Sequence, residues 1–259
     1  MELVVMLGGG PFFVMGLVVG GRLLLLAYRH RALPELLLGA AFLVGPLSGA
    51  LSQYIHAPGF PHSVQTRGLM LLVNYLGGMA GVILSASFVR LVFRPGRAWA
   101  LALTLAIAAG GVGLILWTWS IGTFTTGNEV AVQRAILSSV SLPATLWAAI
   151  EALSHYRMLR RRIRLGLGDP LVANRLLLWG VGACCGTGIL IGYLPVIMLP
   201  AEHLWTQLGL LNIGVLGAVA TVTYGFAFFP PRGYADWVRR RAASAARPSA
   251  TRTAWAETS

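Results

Sequence analysis

Lysine is absent from this sequence: all twenty basic residues among its 259 are arginines. A retinal Schiff base forms on a lysine amine, so covalently bound retinal is excluded, and no other cofactor is indicated. Cysteine is scarce as well, with only Cys184 and Cys185. These two are neighbours in one hydrophobic segment and point about 100° apart around a helix, so we interpret them as packing residues.

Charged residues make up only 11% of the chain, against about 25% in soluble domains, and the mean hydropathy is +0.73. Seven apolar stretches are long enough to cross a bilayer as helices, which takes about 20 residues each. They lie near residues 3–28, 36–56, 68–92, 98–120, 128–155, 172–199 and 205–229. The sequence therefore predicts an all-α fold, a polytopic seven-helix bundle that passes repeatedly through the plasma membrane, the inner membrane of a bacterium.

The arginines are distributed unevenly along these segments. If the N-terminus is outside, only Arg67 and Arg134 fall at the outer ends of helices, and the other eighteen basic residues fall on the inner side. The positive-inside bias therefore predicts the N-terminus out and the C-terminus in. The net charge of +12 then reflects topology and contact with anionic lipids at the inner face, and nucleic-acid binding is not indicated. The basic loop RMLRRRIRLGLGDP could also dock a cytoplasmic protein partner.

An internal repeat is indicated by the third and seventh segments, LMLLVNYLGG and LGLLNIGVLG. Sliding one onto the other by 138 positions pairs Asn74 with Asn212 and Ser85 with Thr223. The second and sixth segments also match, with Gly45 on Gly186. The repeat halves would be residues 3–97 and 128–235, joined by a linker helix at 98–120. Because the linker is a single helix, both halves cross the membrane in the same direction, and they would be related by an axis along the membrane normal.

This 3+1+3 plan resembles the SWEET-type sugar carriers and the broader group that links them with opsins and G-protein-coupled receptors. The resemblance lies in plan and residue placement. It rests on one asparagine in each third helix, Asn74 and Asn212, and on prolines in helices one, two, five and six, at Pro11, Pro46, Pro143 and Pro195. It implies that the two asparagines face the substrate.

The candidate ligand-binding residues are accordingly Asn74, Asn212, Ser85 and Thr223. The alternative for the asparagines is that each amide bonds a neighbouring backbone carbonyl and joins helices. Pro46, Pro143 and Pro195 each remove a helix hydrogen bond and favour a kink, which makes them candidate hinges.

Small residues recur on single helix faces. Asn74, Gly78, Gly81 and Ser85 share one face of the third segment, and Gly45 and Gly49 share one of the second. Such stripes are typical of close helix packing, with clearance for a ligand as the alternative.

Acidic residues number only eight, and each can be placed within a few residues of a membrane interface. The deepest is Glu151, which we interpret as an interfacial pair with His155 four residues later. No acidic residue is placed to couple transport to protons or sodium, which disfavours a pump.

An enzyme is not predicted, and neither is a metal site. His56, His62 and His203 with Glu202 could collect zinc only if flexible loops converged, and no catalytic motif is present.

After the bundle at residues 1–229, residues 230–241 predict a short amphipathic helix on the inner leaflet. Residues 242–259 have little apolar content and predict a disordered basic tail.

Three functions remain open: a facilitative carrier for a small neutral or weakly polar solute, a receptor-like sensor that signals through a separate partner, and a structural subunit of a membrane complex.

Overall fold

The computed structural model describes residues 2–57 and 63–246. These ranges contain nine helices: α1 (Glu2–His30), α2 (Leu33–Ile55), α3 (Val64–Phe93), α4 (Ala98–Ser120), α5 (Thr123–Thr126), α6 (Ala131–Arg164), α7 (Pro170–Met198), α8 (Leu204–Phe228) and α9 (Arg232–Ala246). Seven of them are long and apolar enough to span a membrane. The prediction of an all-helical membrane protein with seven such helices is confirmed.

The helices differ from the predicted ones at α5, α6 and α9. α6 continues to Arg164, so most of the basic stretch expected to be a loop extends this helix beyond the hydrophobic segment. The four-residue helix α5 was not predicted, because TFTT carries no helix signal. Two glycines in the left-handed region, Gly122 (φ 76°) and Gly127 (φ 66°), flank α5 and turn the chain on either side of it.

The long helices form a closed ring in chain order. Helix α1 packs on α2, α2 on α3, and α3 on α6. The series continues from α6 to α7 and from α7 to α8, and α8 closes the ring by packing on α1. The linker helix α4 packs across the junction of α3 and α6. A duplication of three helices would produce this order, but so would any six-helix ring, and the internal repeat stays a prediction.

The bundle has two ends, named after the short helices α5 and α9. The α5 end carries α5 and the starts of α3, α6 and α8; the α9 end carries α9 and the ends of those same helices. Contacts fix the directions: α1 and α8 run parallel, since Gly8 approaches Gly214 at one end and Arg22 lies over the Phe229 ring at the other. The orientation of these ends across the membrane stays a prediction.

Glycines allow the backbones of the ring to approach closely. A Cβ built on Gly217 of α8 would lie 2.8 Å from the Gly8 carbonyl oxygen of α1. A Cβ on Gly81 of α3 would lie 3.2 Å from the backbone nitrogen of Gly45 on α2. These positions explain part of the small-residue stripes as helix packing.

The C-terminal helix α9 packs on α6 and α7. The Asn174 amide nitrogen donates to the Tyr234 hydroxyl at 2.8 Å, and the Phe226 ring contacts the Tyr234 ring. α9 reaches Ala246, so residues 242–246 are helical where the sequence analysis placed the start of a disordered tail. The stretch Ala-Ala-Ser-Ala-Ala has high helix propensity, which explains the difference. Residues 247–259 lie outside the described part of the chain.

Candidate functional site

Open space lies beside three glycines on the inner side of the ring, which we call the interior glycines: Gly45 on α2, Gly78 on α3 and Gly186 on α7. A Cβ built on any of them meets no heavy atom within 4 Å. Large apolar side chains mark the opposite, lipid-facing sides of these helices, such as Leu47 on α2 and Val73 on α3, each at least half exposed. The space beside the glycines therefore faces the interior of the ring.

Asn74 lies one turn before Gly78, on the same face of α3. Asn74 is only 5% exposed, and its side chain forms no hydrogen bond with another described residue. Neither amide atom is both fully buried and unbonded, so the amide reaches the adjoining space, where water or a polar group can bond it. Ser85, three turns further on, is partly buried.

The candidate residues on α8 have protein partners. The Asn212 amide nitrogen donates to the Gly188 carbonyl oxygen of α7 at 2.7 Å, and Gly192 leaves room for this side chain. The Thr223 hydroxyl donates to the Ala220 carbonyl oxygen of its own helix at 3.0 Å. No packing contact between α3 and α8 exists among the described residues. Asn212 thus has the geometry of the helix-joining alternative, and the two asparagines do not adjoin through directly packed helices.

A buried carboxylate lies at the α5 end, in a group that we call the α5-end cluster: His56, Tyr75, Glu129 and Arg134. The Glu129 side chain is 0% exposed. It accepts a hydrogen bond from the Tyr75 hydroxyl at 2.6 Å and lies 2.7 Å from His56 Nε2. Arg134 Nε is 3.5 Å from Glu129 Oε2, the oxygen that also faces His56. One carboxylate therefore joins the end of α2, the first half of α3 and the start of α6.

The loop between α5 and α6 positions this carboxylate. Gln133 accepts a hydrogen bond from the Val130 backbone N–H at 2.9 Å, and its amide nitrogen donates to the Thr123 hydroxyl at 2.7 Å. Both polar ends of this fully buried glutamine are thus bonded, and they fix the chain on both sides of Glu129. Gly127, in the left-handed region, directs the loop from α5 toward α6.

A second buried carboxylate lies at the opposite end, in the α9-end cluster: Arg94, Trp147, Glu151 and His155. Glu151 is 2% exposed and its Oε1 accepts from Arg94 Nε at 2.8 Å and from the Trp147 indole N–H at 3.1 Å. This bond and the carboxylate charge raise the pKa of Arg94. His155 Nδ1 is 3.8 Å from Oε2. The predicted pair of Glu151 with His155 is therefore present, and folding adds a closer partner, Arg94 from the end of α3.

Sequence reasoning did not single out Glu129. Its partners lie 73 and 54 residues away along the chain, and only the ring of helices brings them together. The one local signal was Arg134, five residues later, because a base beside an acid at a helix start is compatible with an ion pair.

The candidate hinge prolines lie in unbroken helices. Pro46 packs against α1, where a Cβ on Gly16 would meet its ring at 2.8 Å. Pro143 is exposed, and the Pro195 carbonyl oxygen lies 3.4 Å from the Thr206 hydroxyl. Their role as hinges stays a prediction.

A cleft of about 410 Å³ lies at the α5 end. It is lined by Gln65, Gly68, Leu69, Leu72, Trp119, Phe124 and Thr125. Neither candidate asparagine lines it. Of the residues considered for zinc, His62 lies outside the described residues, and those described form no cluster of three possible metal ligands.

No protein-family model matches the chain, and comparison with curated proteins and with solved structures found no match. The function is therefore argued from the site alone.

Proposed function

We propose that the protein is a facilitative carrier, not an enzyme, for a small neutral or weakly polar solute. The observation that carries the proposal is the open space beside the interior glycines, with the Asn74 amide, which has no hydrogen bond to another described residue, next to it. An amide offers a donor and an acceptor to hydroxyl or amide groups of a solute. A passing solute would satisfy Asn74, whereas a purely structural bundle would have filled this space with side chains.

The two ionic clusters support movement between two states. Both join α3 to α6 or to the loop just before it, and their α3 residues, Tyr75 and Arg94, are about 30 Å apart at 1.5 Å per residue. A carrier opens one end while the other stays closed. Buried ion pairs that form and break can serve as such locks. Their net stabilisation is small, because the cost of removing the charges from water offsets most of their attraction.

The chemistry of the path favours an uncharged solute. Asn74 and Ser85 are polar but neutral, and the buried acids of both clusters have basic partners at the ends of the bundle. We place the α9 end in the cytoplasm and the protein in the plasma membrane, because the arginines concentrate at that end and suit anionic lipid head groups.

The proposal is tested by solute flux into liposomes that contain the purified protein, with a panel of neutral sugars, polyols and amino acids. Asn74→Leu is expected to abolish saturable flux of the transported solute while the protein keeps its wild-type melting temperature, because the change breaks no hydrogen bond between described residues and introduces an apolar group of similar volume.

Asn212→Leu is the matched control. It breaks the bond to Gly188 and is expected to lower the melting temperature while folded protein keeps measurable flux. Wild-type flux at the level of empty liposomes for every solute contradicts the proposal, as does unchanged flux in Asn74→Leu.

A receptor-like sensor is the second candidate. It is favoured by the docking of α9: the bond between Asn174 and Tyr234 joins a basic surface helix to α7, so a shift of α7 would be passed to a partner bound there. A sensor predicts saturable ligand binding by the purified protein with no flux in liposomes.

A further inference from the structure

The imidazole of His56 has a hydrogen-bond acceptor on each side. Its Nδ1 lies 2.7 Å from the Ser52 carbonyl oxygen, and its Nε2 lies 2.7 Å from Glu129 Oε2. A backbone carbonyl oxygen can only accept. Nδ1 therefore carries a hydrogen in this arrangement.

The second contact then requires one more proton. A neutral imidazole has only one N–H, and an ionised carboxylate only accepts. With Nδ1 protonated, the contact of 2.7 Å is a hydrogen bond either if Nε2 is protonated too, giving an imidazolium, or if Glu129 is protonated and donates from Oε2 to Nε2. Both forms hold one proton more than a neutral histidine beside a carboxylate.

We infer that the α5-end cluster is a proton-binding site, with the proton shared between His56 Nε2 and Glu129 Oε2. The inference rests on the acceptor geometry and does not depend on the carrier proposal. It assigns a ligand, the proton, to a chain in which no acidic residue was predicted to couple transport to protons.

The groups that face this pair favour the imidazolium with an ionised carboxylate. From α3, the Tyr75 hydroxyl donates to Oε1, and a donor stabilises the charged form of a carboxyl group. From α6, Arg134 adds a positive charge 3.5 Å from Oε2. From α7, Tyr193 lies close enough to Glu129 and Arg134 to interact electrostatically. The His56 side chain is 22% exposed and the Glu129 side chain is 0% exposed, so the proton can enter and leave only through His56.

Loss of the proton weakens this end of the bundle. Without it, a nitrogen lone pair faces an oxygen lone pair on one side of the ring, and one of the two bonds is lost. The tie between the end of α2 and the start of α6 therefore depends on the bound proton.

The test uses the full chain in lipid nanodiscs at pH 7.5, where an ordinary imidazole with a pKa of about 6.5 is about nine-tenths neutral. Nitrogen NMR of labelled histidine reads the imidazole, with signals assigned through His56→Gln and His155→Gln. Infrared spectroscopy reads a protonated carboxyl group. Glu129→Gln removes the acid but keeps the shape, and its amide can donate to a neutral Nε2; Glu202→Gln, in an exposed residue, is the matched control.

We expect either an imidazolium at His56 in more than half of the molecules or a protonated carboxyl band that Glu129→Gln removes. In Glu129→Gln, the imidazolium signal of His56 is expected to be lost, and Glu202→Gln changes nothing. A wild-type protein with neutral His56 and ionised Glu129 overturns the inference, and so does an imidazolium that persists in Glu129→Gln. If Glu129→Gln does not fold, the wild-type spectra decide alone. Neither outcome depends on whether the protein transports a solute.

Discussion

At the scale of single residues, the polar groups of this chain lie where helices from distant parts of the sequence meet. The Tyr75 residue is 0% exposed, and its hydroxyl is satisfied by a carboxylate from a loop that begins only after α5. Hydrogen bonds to charged groups contribute about 1.5–3 kcal/mol, more than those between neutral groups. The α5-end cluster is therefore held by a small number of strong contacts.

Tyr75→Phe is expected to destabilise the protein by about 1–3 kcal/mol, because the Glu129 carboxylate loses a donor and cannot reach water in exchange. The measurement is thermal unfolding of the purified protein in detergent. Tyr28→Phe is the control, since Tyr28 is 85% exposed and its hydroxyl is solvated. Equal melting temperatures for Tyr75→Phe and Tyr28→Phe would show that the Tyr75–Glu129 bond does not stabilise this end of the bundle.

Only some of these polar residues could be predicted from the sequence. Asn74 and Asn212 stood out because an amide in an apolar run is conspicuous, but the sequence could not say which had a partner: that depends on Gly188 and Gly192 of another helix. Glu129 did not stand out, because a glutamate beside a helix start is ordinary until its surroundings are known.

At the scale of helices, the hydrophobic segments predicted the spans well, because about 20 apolar residues have few alternatives to a helix in a bilayer. The ends of helices were less predictable. α6 extends through its arginines to Arg164, because a helix can continue into water once its apolar part is fixed. The stripes of small residues predicted close packing without naming the partner helix.

Two glycine-to-alanine substitutions separate packing from helix propensity. Gly217→Ala is expected to destabilise the protein by about 1–3 kcal/mol, because its Cβ would lie 2.8 Å from the Gly8 carbonyl oxygen and α1 and α8 would have to move apart. Gly10→Ala, on the same pair of helices but with nothing within 4 Å, is expected to be neutral or to stabilise by up to about 1 kcal/mol. Thermal unfolding measures both; a Gly217→Ala variant as stable as Gly10→Ala contradicts the close contact of α1 with α8.

At the scale of the whole molecule, the class of protein followed from composition, whereas the ring of helices did not. Hydropathy fixes how many helices cross a membrane, but their neighbours are decided by glycine contacts such as Gly81 with Gly45 and by bonds such as Arg94 with Glu151. The orientation, the internal repeat and the hinges stay predictions from the sequence. The interior space beside Gly45, Gly78 and Gly186 could not be predicted, because the same stripe pattern serves packing and clearance.

The measurement that tests the carrier proposal most directly is saturable solute flux in liposomes for two glycine-to-leucine variants. Gly78→Leu adds a side chain to the interior space. Gly113→Leu adds the same side chain to an exposed position of α4, where a Cβ also meets nothing within 4 Å. Both are expected to fold, since neither site is occupied by other atoms.

We predict that Gly78→Leu reduces flux of the solute found for the wild-type protein at least tenfold and that Gly113→Leu leaves it within about twofold, because only the first side chain enters the path. Equal flux in the two variants, at wild-type stability, would contradict a solute path through the interior of the ring.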